Sequence, residues 1–418
     1  MPKKTIKLNS FFSGIGGFDI AFERNGFATQ MMCEINPFCN DILAKHWPKV
    51  QKFSDINNLT LSDIPNADVW CGGFPCQDIS LARGSSKRLG LHGSRSGLFH
   101  RFAELIKQGK PQVVLIENVG GLFNSNQGRD FGTIIQTMSS LGYNIAWRLL
   151  NSRYFGVPQS RTRVYICCWR GNGSKALKVM FDNAGAPKPT DERKDFLTES
   201  NPVGSTIKVP TVAYCLAASS GRHTGTDWSR TYVVNSNGVR RLSPIESERL
   251  QGFPDRWTEL PDYSSNKENS DTLRYTAIGN AVSVPVIEWI ARRIYAELQD
   301  NTKSNIEDTV VKYHDFDKRS WSDVNIHDID FTDENLSHKW SKGGIVENGC
   351  VLECNAYPTP LKVKRTVLFD LVEKDQNNSL YYLTPNAAEG ILRRVDGQNR
   401  HLFPPLQDAL EQLKSQKK

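Results

Sequence analysis

Short hydrophobic runs alternate with stretches of helical length over the first 170 residues. Lys4–Phe12 reads as a strand, followed by a glycine turn and a short amphipathic helix closed by Gly26. Thr29–Ile35, Val69–Cys71, Val113–Ile116, Ile145–Leu150 and Val164–Trp169 continue the series, with the turn YFGVPQSR before the last. Apolar runs interleaved with helices predict an α/β fold whose parallel sheet is covered on both faces.

That rhythm stops over 171–239, where GNGSKALKVMFDNAGAPKPTDERKDF and much of the remainder have no periodicity. This reads as an irregular inserted module. RRLSPIESERLQGFPD then predicts a short helix, with Ser243 as N-cap, Pro244 at the first turn and Glu246 completing a capping box. Gly252 and Pro254 stop it. After the polar linker YSSNKENSD, an amphipathic helix carries Ile287, Ile290, Ala291, Ile294, Tyr295 and Leu298 on one face. Beyond about 300 the character changes. Asp300–Glu334 holds ten acidic and four basic residues, a net −6 that argues against phosphate contact there. KVKRTVLFDLVE reads as a strand, and TPNAAEGILRRV and LQDALEQL as helices. The expected partition is therefore 1–170, an irregular module over 171–270, a return helix over 271–300 and an extension over 301–418. There are no internal repeats.

Composition changes this picture little. The 418 residues are 39% hydrophobic and 23% charged, an ordinary globular balance. No stretch approaches the ~20 apolar residues of a membrane span, and no secretory signal leads the chain, so a cytosolic protein with no membrane partner is expected. Nine scattered cysteines, an odd number, argue against a disulfide framework. Cys350 and Cys354 are spaced like half a zinc site, but no second pair completes it and no metal is expected. The net charge of +7 is compatible with a polyanionic partner without demanding one.

Three stretches carry chemistry. FFSGIGGFDI sets glycines between a strand and a helix, where backbone approaches a nucleotide closely. The next strand ends in Glu34, at the ribose-binding distance from Gly14, and Asp55 follows in SDI as a candidate for the adenine amino group. VWCGGFPCQDIS then exposes Cys76 at a strand end behind glycines and a proline. Cys33, Cys39, Cys71, Cys167, Cys168 and Cys215 read instead as small core hydrophobes. Finally VVLIENVGG delivers Glu117 and Asn118 from an apolar strand. Partial burial would raise the Glu117 pKa and suit it to proton exchange near neutrality. Together the last two stretches predict a thiolate and a carboxylic acid converging on one planar substrate.

These motifs, in this order, resemble the DNA (cytosine-5) methyltransferases from Lys4 to about Leu298. FFSGIGGF resembles the cofactor motif, GFPCQ the catalytic loop and ENV the cytosine-recognition motif. QSRTR resembles the eighth motif, RRLSPIESERLQGFP the ninth and AIGNAVSVPV the tenth. The resemblance implies a Rossmann-like methyltransferase domain, S-adenosyl-L-methionine as cofactor and double-stranded DNA as substrate. It implies catalytic roles for Cys76, Glu117, Arg161 and Arg163. Cofactor contacts are implied for Phe12, Gly14, Gly16, Gly17, Glu34, Ile35, Asp55, Ile56, Pro75, Leu98, Asn280 and Val282. Where some family members carry an aromatic residue after the ribose carboxylate, this chain has Ile35. DNA contacts are expected from Gln77, Ser80, Arg83, Arg95, Gln159, Arg222, Arg240 and Arg241, with His223, Thr224 and Trp228 as further readers. The 171–270 module, mildly basic, takes the family's target-recognition position. The extension resembles tails of some phage-type members and has no assigned role. A monomer acting with or without a cognate restriction endonuclease is expected.

Other readings remain. A tRNA cytosine-5 methyltransferase would use the same Cys and Glu. A catalytically silent DNA-binding module would leave Cys76 and Glu117 without purpose, as would a dehydrogenase built on the glycine turn.

Overall fold

The computed structural model of the protein describes residues 5–74, 97–181, 194–221, 227–263, 267–300, 324–328, 338–347, 350–354 and 366–417. The chain divides into two compact units. Unit 1 comprises Met1–Asn151, Thr162–Lys188 and Val286–Lys362; unit 2 comprises Ser152–Arg161, Pro189–Pro285 and Val363–Lys418. This division runs differently from the linear partition. Residues 152–161, which include the first three residues of the eighth motif, group with the inserted module, and the C-terminal extension is shared between the units.

Unit 1 is built on one sheet. β1 (Ile6–Phe11) buries all but one of its side chains because it lies between two strands rather than at an edge. Its neighbours are β2 (Phe27–Cys33) and β4 (Val69–Gly72), both parallel to it. β3 (Gln51–Phe53) and β5 (Val113–Val119) extend the parallel part outward on either side. The strand order β3-β2-β1-β4-β5 reverses direction at β1, so a crevice opens outside the carboxyl ends of β1 and β4. Beyond β5 the sheet turns antiparallel through β7 (Thr162–Arg170) and β6 (Tyr143–Asn151). The expected all-parallel sheet is thus parallel only over five strands.

Helices cover this sheet. α1 (Gly17–Glu23) and α2 (Pro37–His46) follow β1 and β2, and α3 (Gly97–Gly109) and α4 (Arg129–Ser140) flank β5. α5 (Gly173–Met180) packs on β6 and β7. The apolar face of α8 (Val284–Gln299) behaves as its periodicity predicts, with Ile287, Ile290, Ala291 and Ile294 fully buried. Tyr295 meets Phe27 edge-on at 5.7 Å, and Glu288 pairs with Arg24 at 2.7 Å.

The extension adds three strands to the far side of the sheet, β10 (Val324–Asp328), β11 (Gly343–Glu347) and β12 (Cys350–Cys354), with β11 antiparallel to β6. Trp340 seats its ring against Phe131 and Trp147, and its indole N–H donates to Gly128 O at 2.8 Å. A Cβ on Gly344 would fall 2.3 Å from Trp147, so the strand approaches that ring only because the residue is glycine.

Unit 2 contains the hairpin β8 (Tyr232–Asn235) and β9 (Gly238–Arg241), then α6 (Pro244–Gln251) and α7 (Lys267–Asn280). α6 starts as the sequence dictates. Ser243 Oγ accepts from Glu246 N at 3.2 Å, Glu246 returns an acceptor to Ser243 N at 2.7 Å, and Gly252 ends the helix at φ 85°. The remainder of the extension forms α9 (Leu368–Leu371), α10 (Pro385–Asp396) and α11 (Pro404–Ser415). Leu368–Leu371 corrects the strand expected there. α10 and α11 bury Ile391, Val395, Leu406 and Leu410 against Tyr232 and Val239 of the hairpin.

One buried group makes unit 1 sensitive to pH. Asp19, in the first turn of α1, is fully buried and accepts from Ser10 Oγ at 3.0 Å. Burial outweighs that bond and pushes its pKa up to about 7. The unfolded chain therefore releases this proton at lower pH than the fold does. The group's contribution to stability falls as pH rises from the ordinary carboxyl range to about 7, at roughly 1.4 kcal/mol per pH unit. Asp19→Asn keeps an acceptor for Ser10 and removes the titration. Its stability advantage over the wild type, read from urea midpoints, should grow by about 3 kcal/mol between about pH 5 and about pH 8; a constant difference would contradict this.

Candidate functional site

The carboxyl end of β1 leads into a turn of unusual backbone. Phe12 has φ 53°, Gly14 φ 55° and Gly16 φ 81°, and α1 begins at once. Ser13 fixes the turn to the neighbouring strand: its N–H donates to Cys33 O at 3.0 Å, and its hydroxyl accepts from Cys33 N at 3.2 Å. Glu34, the next residue of that strand end, accepts from Gly14 N at 2.8 Å through one carboxylate oxygen and from Asn36 N at 2.8 Å through the other. Desolvation raises the Glu34 pKa while these N–H groups act in the opposite direction.

The two left-handed glycines face different surroundings. A Cβ on Gly16 would lie 2.4 Å from the Trp47 ring, so glycine there is a packing necessity. A Cβ on Gly14 would meet nothing within 4 Å. The turn is therefore closed beneath Gly16 and open above Gly14.

The other candidate cofactor residues of unit 1 have the following surroundings. Phe12 is half-buried and lies edge-on to Phe102 at 6.0 Å. Ile35 is 70% exposed, a large apolar side chain left in solvent beside Glu34. Asp55 caps a short 3-10 turn, accepting from Asn57 N at 2.9 Å, and Ile56 is buried beneath it. Leu98 stands half-buried in the first turn of α3, whose Arg101 donates to Leu59 O at 2.6 Å. Gly17 is buried as the first residue of α1.

The second half of the site lies between the ends of β4 and β5. β5 runs three residues further than its apolar core suggested, so Glu117 and Asn118 sit inside the strand, 9% and 2% exposed. Glu117 faces Arg163 of β7, with Nε 3.3 Å from Oε1. A Cβ on Gly73 would fall 3.1 Å from Glu117 Oε2, a tight approach that a side chain there would make only by displacing the carboxylate by a few tenths of an ångström. Sequence reasoning gave Gly73 no such role, although its glycine pair was the available signal. Three residues later comes Cys76. It lies outside the described residues, as do Pro75, Gln77, Ser80, Arg83, Arg95, Arg222, His223 and Thr224.

Three of the expected arginine and glutamine site residues are buried within unit 2. Arg161 is 3% exposed and donates to the carbonyls of Leu216, Gly279 and Ala281 at 3.0, 3.2 and 2.7 Å. Gln159 is fully buried, accepting from Leu216 N at 2.9 Å and donating to Leu250 O at 2.9 Å, so it faces protein rather than DNA. Arg240, also fully buried, is matched in bidentate fashion to Glu246 at 2.8 Å through both nitrogens. A guanidinium closed by a carboxylate inside the protein has no donor turned to a phosphate. Arg241 is half-buried and donates to Gly221 O and to Leu380 O. Exposed Asn280 and buried Val282 follow in unit 2 at the end of α7.

Known proteins resemble this chain in sequence and in fold. The sequence model of C-5 cytosine-specific DNA methylases matches residues 6–209 and 204–296. Type II methyltransferase M2.BsuMI of Bacillus subtilis (strain 168) is 32% identical, over 69% of this chain and 75% of its own length. Type II methyltransferase M.NgoBI of Neisseria gonorrhoeae is 33% identical, over 72% of this chain and 96% of its own. Among solved structures, Entamoeba histolytica methyltransferase EhMeth superposes with a TM-score of 0.53 at 20% identity, covering 71% of this chain and all of that one, a likeness of fold.

The two glycines of the turn yield a paired expectation. Gly16→Ala combines left-handed strain with the Trp47 overlap and should cost about 2–5 kcal/mol in urea denaturation. Gly14→Ala adds only the strain, about 1–2 kcal/mol. Equal losses would refute the asymmetry.

Proposed function

The chain belongs to the C-5 cytosine-specific DNA methylase family, and we propose that it methylates C5 of a cytosine in duplex DNA through a transient bond from Cys76 to C6. The observation that carries this reading is the Glu117–Arg163 pair, held at the carboxyl end of β5 against Gly73, three residues before the cysteine.

Cytosine C5 is a weak nucleophile. Addition of the Cys76 thiolate to C6 moves electron density onto C5 and makes it reactive. Glu117 accepts from the exocyclic amine and protonates N3 as the ring becomes electron-rich. Arg163, paired to Glu117, holds that carboxylate in orientation and adds positive charge beside the thiolate. After transfer, a base removes the C5 proton and the thiolate leaves. Because C6 is stacked inside a duplex, the cytosine is first turned out of the helix into the protein. The polar sequence QDISLARGSSKRLGLHGSRSGLF, rich in Gly, Ser, Lys and Arg, has the composition for phosphate contact.

The residues fit S-adenosyl-L-methionine. The open side of Gly14 leaves room where an added methyl would intrude, and Glu34, oriented by two N–H groups, suits a ribose diol. Exposed Ile35 offers an aliphatic face to adenine, and Asp55 an acceptor for its amino group. The bound cofactor supplies an electrophilic methyl group.

Cys76→Ala should abolish methylation of duplex DNA while S-adenosylhomocysteine binding, measured by calorimetry, stays within about twofold; turnover near wild type excludes covalent catalysis. DNA carrying 5-fluorocytosine should trap a denaturation-resistant adduct with the wild type and none with Cys76→Ala, because fluorine does not leave as a proton does. Glu117→Gln should lower the single-turnover rate by about 10²–10⁴-fold, with DNA affinity nearly unchanged. Bisulfite sequencing of host DNA identifies the target, and a signal on tRNA but not on duplex DNA would reverse the substrate assignment.

A further inference from the structure

The family match ends at residue 296, yet residues 366–417 are wound into unit 2. The strongest contact is made by Glu373. Its N–H donates to Glu246 Oε1 at 2.8 Å, its carbonyl accepts from Arg240 Nη2 at 3.1 Å, and its carboxylate accepts from Ser243 Oγ. All three partners are at most 1% exposed. A buried ion pair is tolerated only when its remaining lone pairs and protons are satisfied. Within this pair, Glu246 Oε2 is served by Ser243 N, and Oε1 is served by the extension.

Other contacts run along the same elements. Leu383 N donates to Val239 O at 2.8 Å, and Arg249 Nη1 donates to Leu371 O at 2.9 Å. Tyr381 Oη donates to Asp271 at 2.9 Å, and Arg394 pairs with fully buried Asp227 at 2.6 Å. Arg400 lies 4.5 Å over the Trp228 ring. The extension thus grips the hairpin β8–β9, both ends of α6 and the residues just before β8. Its own charge is nearly balanced, with seven acidic and six basic residues over 366–417. A near-neutral segment is a poor phosphate neutraliser, so its contribution is positional.

We propose that residues 366–417 are a working part of the DNA-recognition unit, in which the main chain at Glu373 closes the buried Arg240–Glu246 pair and the Glu373 carboxylate, by holding Ser243 at the start of α6, keeps that main chain in place and so sets the hairpin β8–β9 and α6 in the arrangement that engages the duplex. The proposal rests on the DNA-methylating reading and assigns Glu373 as a positioning residue.

The test uses the full-length enzyme and two variants. Glu373→Ala removes the acceptor for Ser243, while Glu373→Gln keeps one without the charge. Loss of one buried partner costs about 1–3 kcal/mol. Glu373→Ala should accordingly raise KM for duplex DNA about tenfold, where 1.4 kcal/mol is one decade. Its kcat and its affinity for S-adenosylhomocysteine should stay within about threefold, and Glu373→Gln should return KM to near the wild-type value. Hydrogen exchange should quicken in β8–β9 and α6 of the alanine variant and stay unchanged in β1 and β2. An unchanged KM, a parallel loss of cofactor affinity, or exchange that does not differ between those regions overturns the proposal. A wild type that methylates no DNA overturns the functional reading instead, and the exchange comparison still decides the role of Glu373.

Discussion

One carboxylate organises the crevice of unit 1. Glu34 draws the N–H of Gly14 on one side and that of Asn36 on the other, so the turn after β1 and the start of α2 are tied to the same strand end. The tie is effective because the turn cannot relax elsewhere: Ser13 is buried and bound to Cys33, and Gly16 is pressed against Trp47. These residues are committed to the protein, and the opening above Gly14 is what remains. The second half of the site is governed similarly, by the close passage of Gly73 over Glu117. Both halves depend on a backbone without side chains meeting an oriented acid.

Much of unit 1 is legible in the sequence. The apolar runs locate β1, β2, β4 and β5 to within a few residues, since a strand buried on both faces leaves little choice of residue. The capping box of α6 and the apolar stripe of α8 are equally direct, because local chemistry alone specifies them. The glycine turn and the strand-end acids at Glu34 and Glu117 are also legible as chemistry. What escapes is everything that depends on partners distant in the chain. An arginine reads as a surface cation until its acceptors are known. Arg161 and Gln159 turn inward because backbone groups from remote segments await them, and Arg240 because it meets Glu246 across the turn that leads into α6. The helix at Leu368–Leu371 escapes because a short apolar run serves strand and helix alike, and its packing against α6 selects one.

The buried polar groups of unit 2 carry a general lesson about motifs. Gln159, Arg161, Gln251, Arg240 and Glu246 spend their hydrogen bonds on joining separated stretches of backbone: 216, 250, 278–281 and 373. Such groups are expensive to bury and strongly destabilising when one member is removed. They specify a single arrangement in a module whose described residues form a hairpin, helices and long irregular stretches. Residues recognisable in sequence as a motif can therefore hold a scaffold rather than touch a substrate.

The pairing of β6 with β11 has a consequence for synthesis. The two strands lie about 200 residues apart in the chain, a separation that slows closure of the sheet. While the ribosome works through the intervening stretch, β6 presents a bare edge flanked by the aromatic surface of Trp147 and Phe131. Only when residues 338–354 emerge do Trp340 and β11 arrive to cover it. The nascent polypeptide thus spends a long part of its translation with an adhesive rim uncovered.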